Sequence, residues 1–370
     1  MPEPATESTS SDDADAVVDQ IRAIVAQYPD PETGRPMGKM DQVRSVTVDG
    51  DRAQIEIGLT SHSAAIADEV QTAIVDRIVA ARPGTAVEIT VADHPRPPAR
   101  LGQLGLRVKS VIAVGSGKGG VGKSTVAASL AVSLHNQGSR VGLLDADVYG
   151  PSIPHLMGLD ERPAVTEDKR IVPVRKGDLP VMSMGFLLDP DQAVIWRGPM
   201  LHGSINQFLR DTLWGELDYL IVDMPPGTGD IALTLSQAVP VAGAVVVCTP
   251  QEVALLDAVK AISMFGKVNI PVAGMVENMS GFTCPDCGKT YDIFGSGGAR
   301  EKAEELNVNY LGGLPIDVTL RTAGDEGRLA ETITEDARAS APIHAIAKSL
   351  VRHLASQAKA NPPRPTLPTL

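Results

Sequence analysis

The stretch Gly117-Lys118-Gly119-Gly120-Val121-Gly122-Lys123-Ser124 constrains the fold of this chain more than any other. It fits Gly-x4-Gly-Lys-Ser/Thr, a pattern that carries meaning only when a strand precedes it and a helix follows. Both are present. Val111-Ile112-Ala113-Val114 is a strand-like apolar run, and Val126, Leu130 and Leu134 recur at helical spacing after the loop. In that setting the backbone N–H groups of the loop can point inward at phosphate oxygens, and the helix N-terminus adds positive potential. Lys123 would reach the β- and γ-phosphates, and Ser124 would bind Mg²⁺.

Further apolar runs predict strands at 141–144, 220–222, 244–247 and 272–276, with a short one ending at Leu314. They are apolar throughout rather than alternating, as parallel strands covered on both faces should be. With helical segments between them, they predict an α/β class: a doubly wound, mostly parallel sheet forming a P-loop NTPase domain over 108–358. Ligands should gather at the carboxyl ends of its strands. A small α+β domain is predicted before it, over 15–93. Its strands alternate at Val46/Val48, Ile55/Ile57/Leu59 and Val87/Ile89/Val91, and Ala67, Val70, Ala73, Ile74 and Ile78 share one helix face. A Pro-rich linker at 94–107 separates the two. The acidic, Ser/Thr-rich start, 1–14, and the Pro-rich end, 359–370, are expected to be disordered. The last helix gathers Ile343, Ile346, Ala347, Leu350, Val351 and Leu354 on one face, which is expected to cover a core.

Composition narrows the function. A net charge of −12 and 3% aromatics oppose nucleic-acid binding. No run of 18 apolar residues predicts a membrane span, and the N-terminus lacks the features of a signal peptide. Three cysteines do not make a disulfide framework, so a cytoplasmic location is expected.

Acidic residues stand at two predicted strand ends, in Asp145-Ala146-Asp147 and Asp223-Met224-Pro225-Pro226-Gly227. Carboxylates there can hold Mg²⁺ or its waters, or orient an attacking water. Cys284-Pro285-Asp286-Cys287 is a redox pair or half of a metal site. The remaining thiol, Cys248, lies in an apolar run and reads as core. Two chains related by a two-fold axis would bring four thiolates together, which suits a [4Fe–4S] cluster or a structural zinc.

Residues 118–125, with a second lysine at Lys118, resemble the deviant P-loop of the MinD/ParA/nitrogenase-iron-protein class. In combination with 145–154, 196–200, 223–230, 277–280, 284–288 and 293–295, the chain resembles the Mrp family of P-loop iron–sulfur cluster carriers over about 108–354. The resemblance implies a homodimer in which Lys118 reaches the partner's nucleotide. It implies Mg²⁺-dependent ATP hydrolysis with Lys118, Lys123, Asp147 and Asp223 as the catalytic set. Asp147 would align the water, and Asp223 would join Ser124 in holding Mg²⁺, with Asp145 helping either. Residues 117–125 would contact ATP and Asn278 would read the adenine edge, although as a residue type Asn278 is equally a turn residue. Cys284 and Cys287 of both subunits would hold a bridging [4Fe–4S] cluster, received from assembly machinery and passed to apo iron–sulfur proteins. The N-terminal domain resembles a small iron–sulfur assembly domain that often carries a cysteine after a threonine. Here the stretch reads Thr60-Ser61-His62-Ser63-Ala64, which points to docking or regulation rather than ligation. The rival readings are a partitioning or positioning ATPase acting on membrane or DNA, and a zinc-bridged dimeric scaffold.

Overall fold

The computed structural model describes residues 11–187, 198–227, 229–284 and 286–362. Trp196, Arg197, Thr228, Pro285 and the outer parts of both expected tails lie outside the described residues. The chain divides into two compact units. One runs to Arg96 and takes in the chain from Val351 onward; the other is Pro97–Leu350.

The first unit contains α1 (Ser11–Ala26), β1 (Val43–Asp49), β2 (Arg52–Leu59), α2 (Ala67–Ala81) and β3 (Ala86–Asp93). β1 and β2 form an antiparallel hairpin, and α2 carries the chain back so that β3 lies parallel to β2. Ala53, Ile55 and Ile57 on β2 and Val70, Ile74 and Ile78 on α2 are buried, so the period-2 and period-3.6 patterns meet in one core. α1 begins at Ser11, inside the stretch expected to be disordered. Ile21 and Val25 anchor it in the core, and helix propagates outward from such an anchor at little cost.

In the second unit β4 (Arg100–Leu101) pairs antiparallel with the start of β5 (Leu106–Gly115), turning part of the Pro-rich stretch into a short hairpin. There follow α3 (Lys123–Asn136), β6 (Val141–Asp145), α4 (Ile153–Met157), the small hairpin of β7 (Ala164–Val165) and β8 (Ile171–Val172), β9 (Val174–Lys176) and β10 (Leu179–Ser183). Next come α5 (Gly198–Asp211), β11 (Leu217–Asp223), α6 (Gly229–Ala238), β12 (Gly243–Cys248), α7 (Glu252–Lys267), β13 (Val272–Thr283) and β14 (Thr290–Tyr291). The chain ends with α8 (Gly298–Glu305), β15 (Tyr310–Ile316), α9 (Val318–Asp325), α10 (Leu329–Glu335) and α11 (Ala337–Ala360), which runs past the expected boundary at 358.

The main sheet runs β14-β13-β12-β5-β11-β6-β10-β9, with β15 parallel to β13 and β4 on β5. Every pairing among β15, β13, β12, β5, β11, β6 and β10 is parallel. β5 stands in the middle: the chain runs from it toward β6 and β10, returns to β11, then crosses to β12 on the other side. That reversal opens a crevice at the carboxyl ends of these strands, where α/β folds bind ligands. Ile112, Ala113, Val114, Leu143, Leu144, Ile221 and Val246 are fully buried, which explains their unbroken apolar runs. β9 and β10 leave no such signature because they are short and Pro180 interrupts the run. β13 extends to Thr283, well past the expected 276. Among the described residues no helix is long and apolar enough to cross a membrane.

Candidate functional site

The loop after β5 is held open by close approaches that only glycine permits. A Cβ at Gly117 would lie 2.0 Å from the Asp257 carbonyl oxygen on α7. Gly122 has φ +80°, and a Cβ there would lie 2.2 Å from Asn278 Nδ2. The loop is also tied from within and below. Ser116 Oγ donates to the Lys118 carbonyl (2.9 Å), and the Gly227 N–H donates to the Ser116 carbonyl (3.1 Å). Asn278 Nδ2 donates to the Val121 carbonyl at 2.8 Å. Asn278 is thus a brace under the loop, a role that its residue type alone does not reveal.

The next level is ionic. Lys123, the first residue of α3, places Nζ 2.6 Å from Asp223 Oδ1, 3.5 Å from Asp147 Oδ2 and 3.2 Å from Ser124 Oγ. Residues far apart in sequence meet here because β5, β6 and β11 are adjacent and in register: Asp223 pairs with Val114 on one side and with Asp145 on the other. The lysine is folded onto the two carboxylates, and anionic phosphate entering the loop would compete with them for it. A cavity of about 300 Å³ adjoins this cluster, lined by the loop together with Asp147, Gly150, Ser152, Leu156 and Pro226. Lys118 also lines it.

Asp145 does not line that cavity. It is fully buried: Oδ1 accepts from the Asp147 N–H (3.0 Å), and Oδ2 faces Ser183 Oγ (2.9 Å) and the Ile153 N–H (3.3 Å). It therefore fixes the loop that carries Asp147 and the start of α4. Asp147 in turn folds that loop, its Oδ1 accepting from the Tyr149 and Gly150 N–H groups at 3.2 and 3.3 Å. Burial and the neighbouring Asp223 push the Asp145 carboxyl up to about 8. Burial also raises Asp223, and the Lys123 ammonium opposes that rise. Asp223 Oδ2 is buried without a hydrogen-bond partner among the described residues. A hard cation is a fitting partner for such an orphan oxygen beside the hydroxyl of Ser124, so this pair suits Mg²⁺.

Cys284 and Cys287 lie on a tight turn between β13 and β14. The Cys284 N–H donates to the Lys289 carbonyl (3.0 Å), the Gly288 N–H donates to the Cys284 carbonyl (2.9 Å), and Gly288 takes φ +69°. Backbone N–H groups of Cys287 and Asp286 face the Cys284 sulfur and, with the Cys287 thiol, hold its pKa below the usual thiol value. That favours thiolate, the metal-ligating form. Cys284 is half-buried and Cys287 exposed. Cys248 is core: it is 1% exposed, and burial pushes its thiol up to about 12. Among the described residues no group of three or more His, Cys, Asp and Glu side chains converges as a metal site.

Two further side chains matter that spacing did not single out. Ser183 holds Asp145, and Glu277 receives hydrogen bonds from Ser280, Gly297 and Ala299. Glu277 ends an apolar run and belongs to the 277–280 motif, but neither fact reveals its partners. His202, on α5, hydrogen-bonds Thr234 on α6 at 3.0 Å. In the first unit, Thr60 Oγ1 donates to Glu32 Oε2, and His62 and Ser63 are buried in a short 3₁₀ turn.

Two family models match the chain. Residues 107–351 match the NUBPL iron-transfer P-loop NTPase model, and residues 18–91 match that of an iron–sulfur cluster assembly protein. The iron–sulfur cluster carrier protein of Haemophilus influenzae is 46% identical over 311 residues, spanning 83% of this chain and 84% of that protein. This chain belongs to the iron–sulfur cluster carrier family of P-loop NTPases. The family member of Deinococcus radiodurans is 44% identical over 333 residues, covering 90% of this chain and 94% of its own. Among solved structures, a nucleotide-binding protein of Archaeoglobus fulgidus in complex with ADP superposes with a TM-score of 0.54. It is 45% identical, over 60% of this chain and 88% of the other.

Proposed function

We propose that the protein binds and hydrolyses ATP with Mg²⁺, carries a [4Fe–4S] cluster between two copies of itself, and delivers it to apo iron–sulfur proteins in the cytoplasm. The observation that carries this reading is the Lys123 cluster, a phosphate-loop lysine held by the strand-end Asp223 and the loop carboxylate Asp147 at the mouth of a cavity, in the same unit as a solvent-facing cysteine turn.

On this reading residues 117–125 cradle the phosphates, and Lys123 leaves Asp223 for the β- and γ-phosphates. Mg²⁺, when bound by Ser124 and Asp223, neutralises charge on those phosphates. Asp147 orients the attacking water, with its own loop fixed by Asp145. Lys118 supplies a cation to the partner's nucleotide, where charge develops in transfer. Asn278 keeps a second amide hydrogen and its carbonyl oxygen for the adenine edge. Cys284 and Cys287 supply two thiolates per subunit, so a four-thiolate cargo site requires two copies. The cysteine-free N-terminal unit serves docking or regulation, toward the assembly machinery or acceptors.

Anaerobic reconstitution with iron and sulfide tests the reading. Wild-type protein should gain iron–sulfide absorption with about four irons per dimer, and Cys284→Ala with Cys287→Ala should abolish it. Lys123→Ala should retain the cluster but lose ATP-dependent transfer to an apo-acceptor. A colourless, zinc-loaded dimer that refuses iron and sulfide would overturn the carrier reading in favour of a zinc-bridged scaffold.

A further inference from the structure

The end of β13 serves two sites through neighbouring side chains. Successive residues of a strand face opposite ways. Asn278 faces the phosphate loop and holds the Val121 carbonyl. Glu277, one residue earlier, is fully buried on the other side. Its Oε1 accepts from Ser280 Oγ (2.5 Å) and the Gly297 N–H (2.8 Å), and its Oε2 from the Ala299 N–H (2.7 Å). Ser280 lies just before the excursion that carries Cys284 and Cys287; Gly297 and Ala299 lie just after it. One carboxylate therefore ties both ends of the cysteine segment.

The backbone between the two grips is unusual. Met279 has φ +59°, Gly281 has φ +77°, and the register of β13 against β15 breaks between Asn278 and Phe282. A non-glycine residue in the left-handed region persists only where its surroundings hold it there. Met279 lies between Asn278, which is bonded to the phosphate loop, and Ser280, which is bonded to Glu277. A change in the loop's path at Val121 pulls on Asn278, and the strained link at Met279 lies directly between that pull and the cysteine segment.

We propose that Glu277 is the positioning residue of the cysteine segment, and that the Glu277–Asn278 pair transmits phosphate-loop occupancy to Cys284 and Cys287. This rests on reading the cavity as an ATP site and the cysteines as cargo ligands.

The test uses full-length, cluster-free protein and the rate of iodoacetamide alkylation at Cys284 and Cys287, followed by peptide mass spectrometry so that Cys248 is counted apart. In wild type, saturating Mg-ATP should change that rate by about threefold or more. Glu277→Gln replaces one acceptor oxygen with an amide that faces N–H donors. It should raise the nucleotide-free rate severalfold and abolish the response, with ATP affinity within about twofold of wild type. Ser280→Ala removes one of the three bonds, keeps the buried carboxylate satisfied by backbone, and should give an intermediate response. Wild-type thiols that ignore Mg-ATP would refute the link, as would a folded Glu277→Gln or Ser280→Ala protein with the full wild-type response. Failure of the cargo reading shows separately, as absence of iron–sulfide absorption on reconstitution.

Discussion

Lys123 is 6% exposed and Asp223 fully buried, so their contact is an ion pair inside the protein rather than on its surface. Such a pair gains stability only while both partners are present, because a lone buried charge keeps its desolvation cost. Around it, three carboxylates, Asp145, Asp147 and Asp223, share one ammonium. The protein meets this excess by raising a pKa: the Asp145 carboxyl stands at about 8, against its ordinary 3.8, through burial and then through Asp223. The sign of the pH effect follows. With the folded-state value above the unfolded one, the protonated form favours folding. That contribution is complete below 3.8 and is lost as pH rises through about 8. Denaturant midpoints of nucleotide-free wild type should therefore fall from about pH 5 to about pH 8 and level off above it. Asp145→Asn keeps an acceptor for the Asp147 N–H, turns an amide NH₂ that does not titrate toward Ser183 Oγ and the Ile153 N–H, and should flatten that fall. Parallel pH profiles of variant and wild type would refute the assignment.

Elements explain which of these residues could be read from the chain and which could not. The buried strands β5, β6, β11 and β12 are legible because parallel strands with two covered faces must be apolar throughout. Asp145 and Asp223, which end β6 and β11, are legible as breaks in those runs. The partners of Asp145 and Glu277 are not: Ser183 is 38 positions away on a strand with no signature of its own, and Gly297 and Ala299 offer backbone N–H groups, which any sequence has. Asn278 is legible as a polar strand end, but its contact is made by the close passage of β13 beneath the loop. That passage gives a prediction at this scale. At Gly122 an L-residue meets φ +80° and an atom of Asn278 at 2.2 Å, so Gly122→Ala adds about 1–2 kcal/mol of backbone strain and displaces the brace. Equilibrium binding should show ATP affinity reduced by about tenfold or more. Gly203→Ala, on α5 with nothing within 4 Å of the added methyl, should bind normally. Equal affinities in the two variants would remove the Gly122–Asn278 contact from the account of the loop.

At the scale of the whole molecule, the first compact unit is not continuous in sequence. The two family matches cover 18–91 and 107–351, yet the chain from Val351 belongs with the N-terminal unit. The contacts say why. Val351 and Leu354 are buried, a Cβ on Gly34 would lie 2.2 Å from the Ala358 carbonyl, and Arg352 makes two hydrogen bonds to Glu69 at 2.6 and 2.9 Å. The Arg352–Glu69 pair is exposed, with side chains at 56% and 35%, and contributes at most about 1 kcal/mol. Burial weighs more: Val351 and Leu354 are buried, which is worth about 1.5–3 kcal/mol each. A chain ended after Leu350 should therefore lose stability in the N-terminal unit and not in the ATPase unit. Hydrogen exchange at the amides of α2 and β2 should quicken by about tenfold or more, while exchange at β5 and β11 stays unchanged. Nucleotide affinity should hold as well, because the cavity is built entirely from Ser116–Pro226 side chains and backbone. Unchanged protection of α2 in the shortened chain would mean that the N-terminal unit folds without the end of α11. A loss of protection at β5 would mean instead that α11 supports the sheet. Only the selective outcome fits a last helix that completes the first unit of the fold.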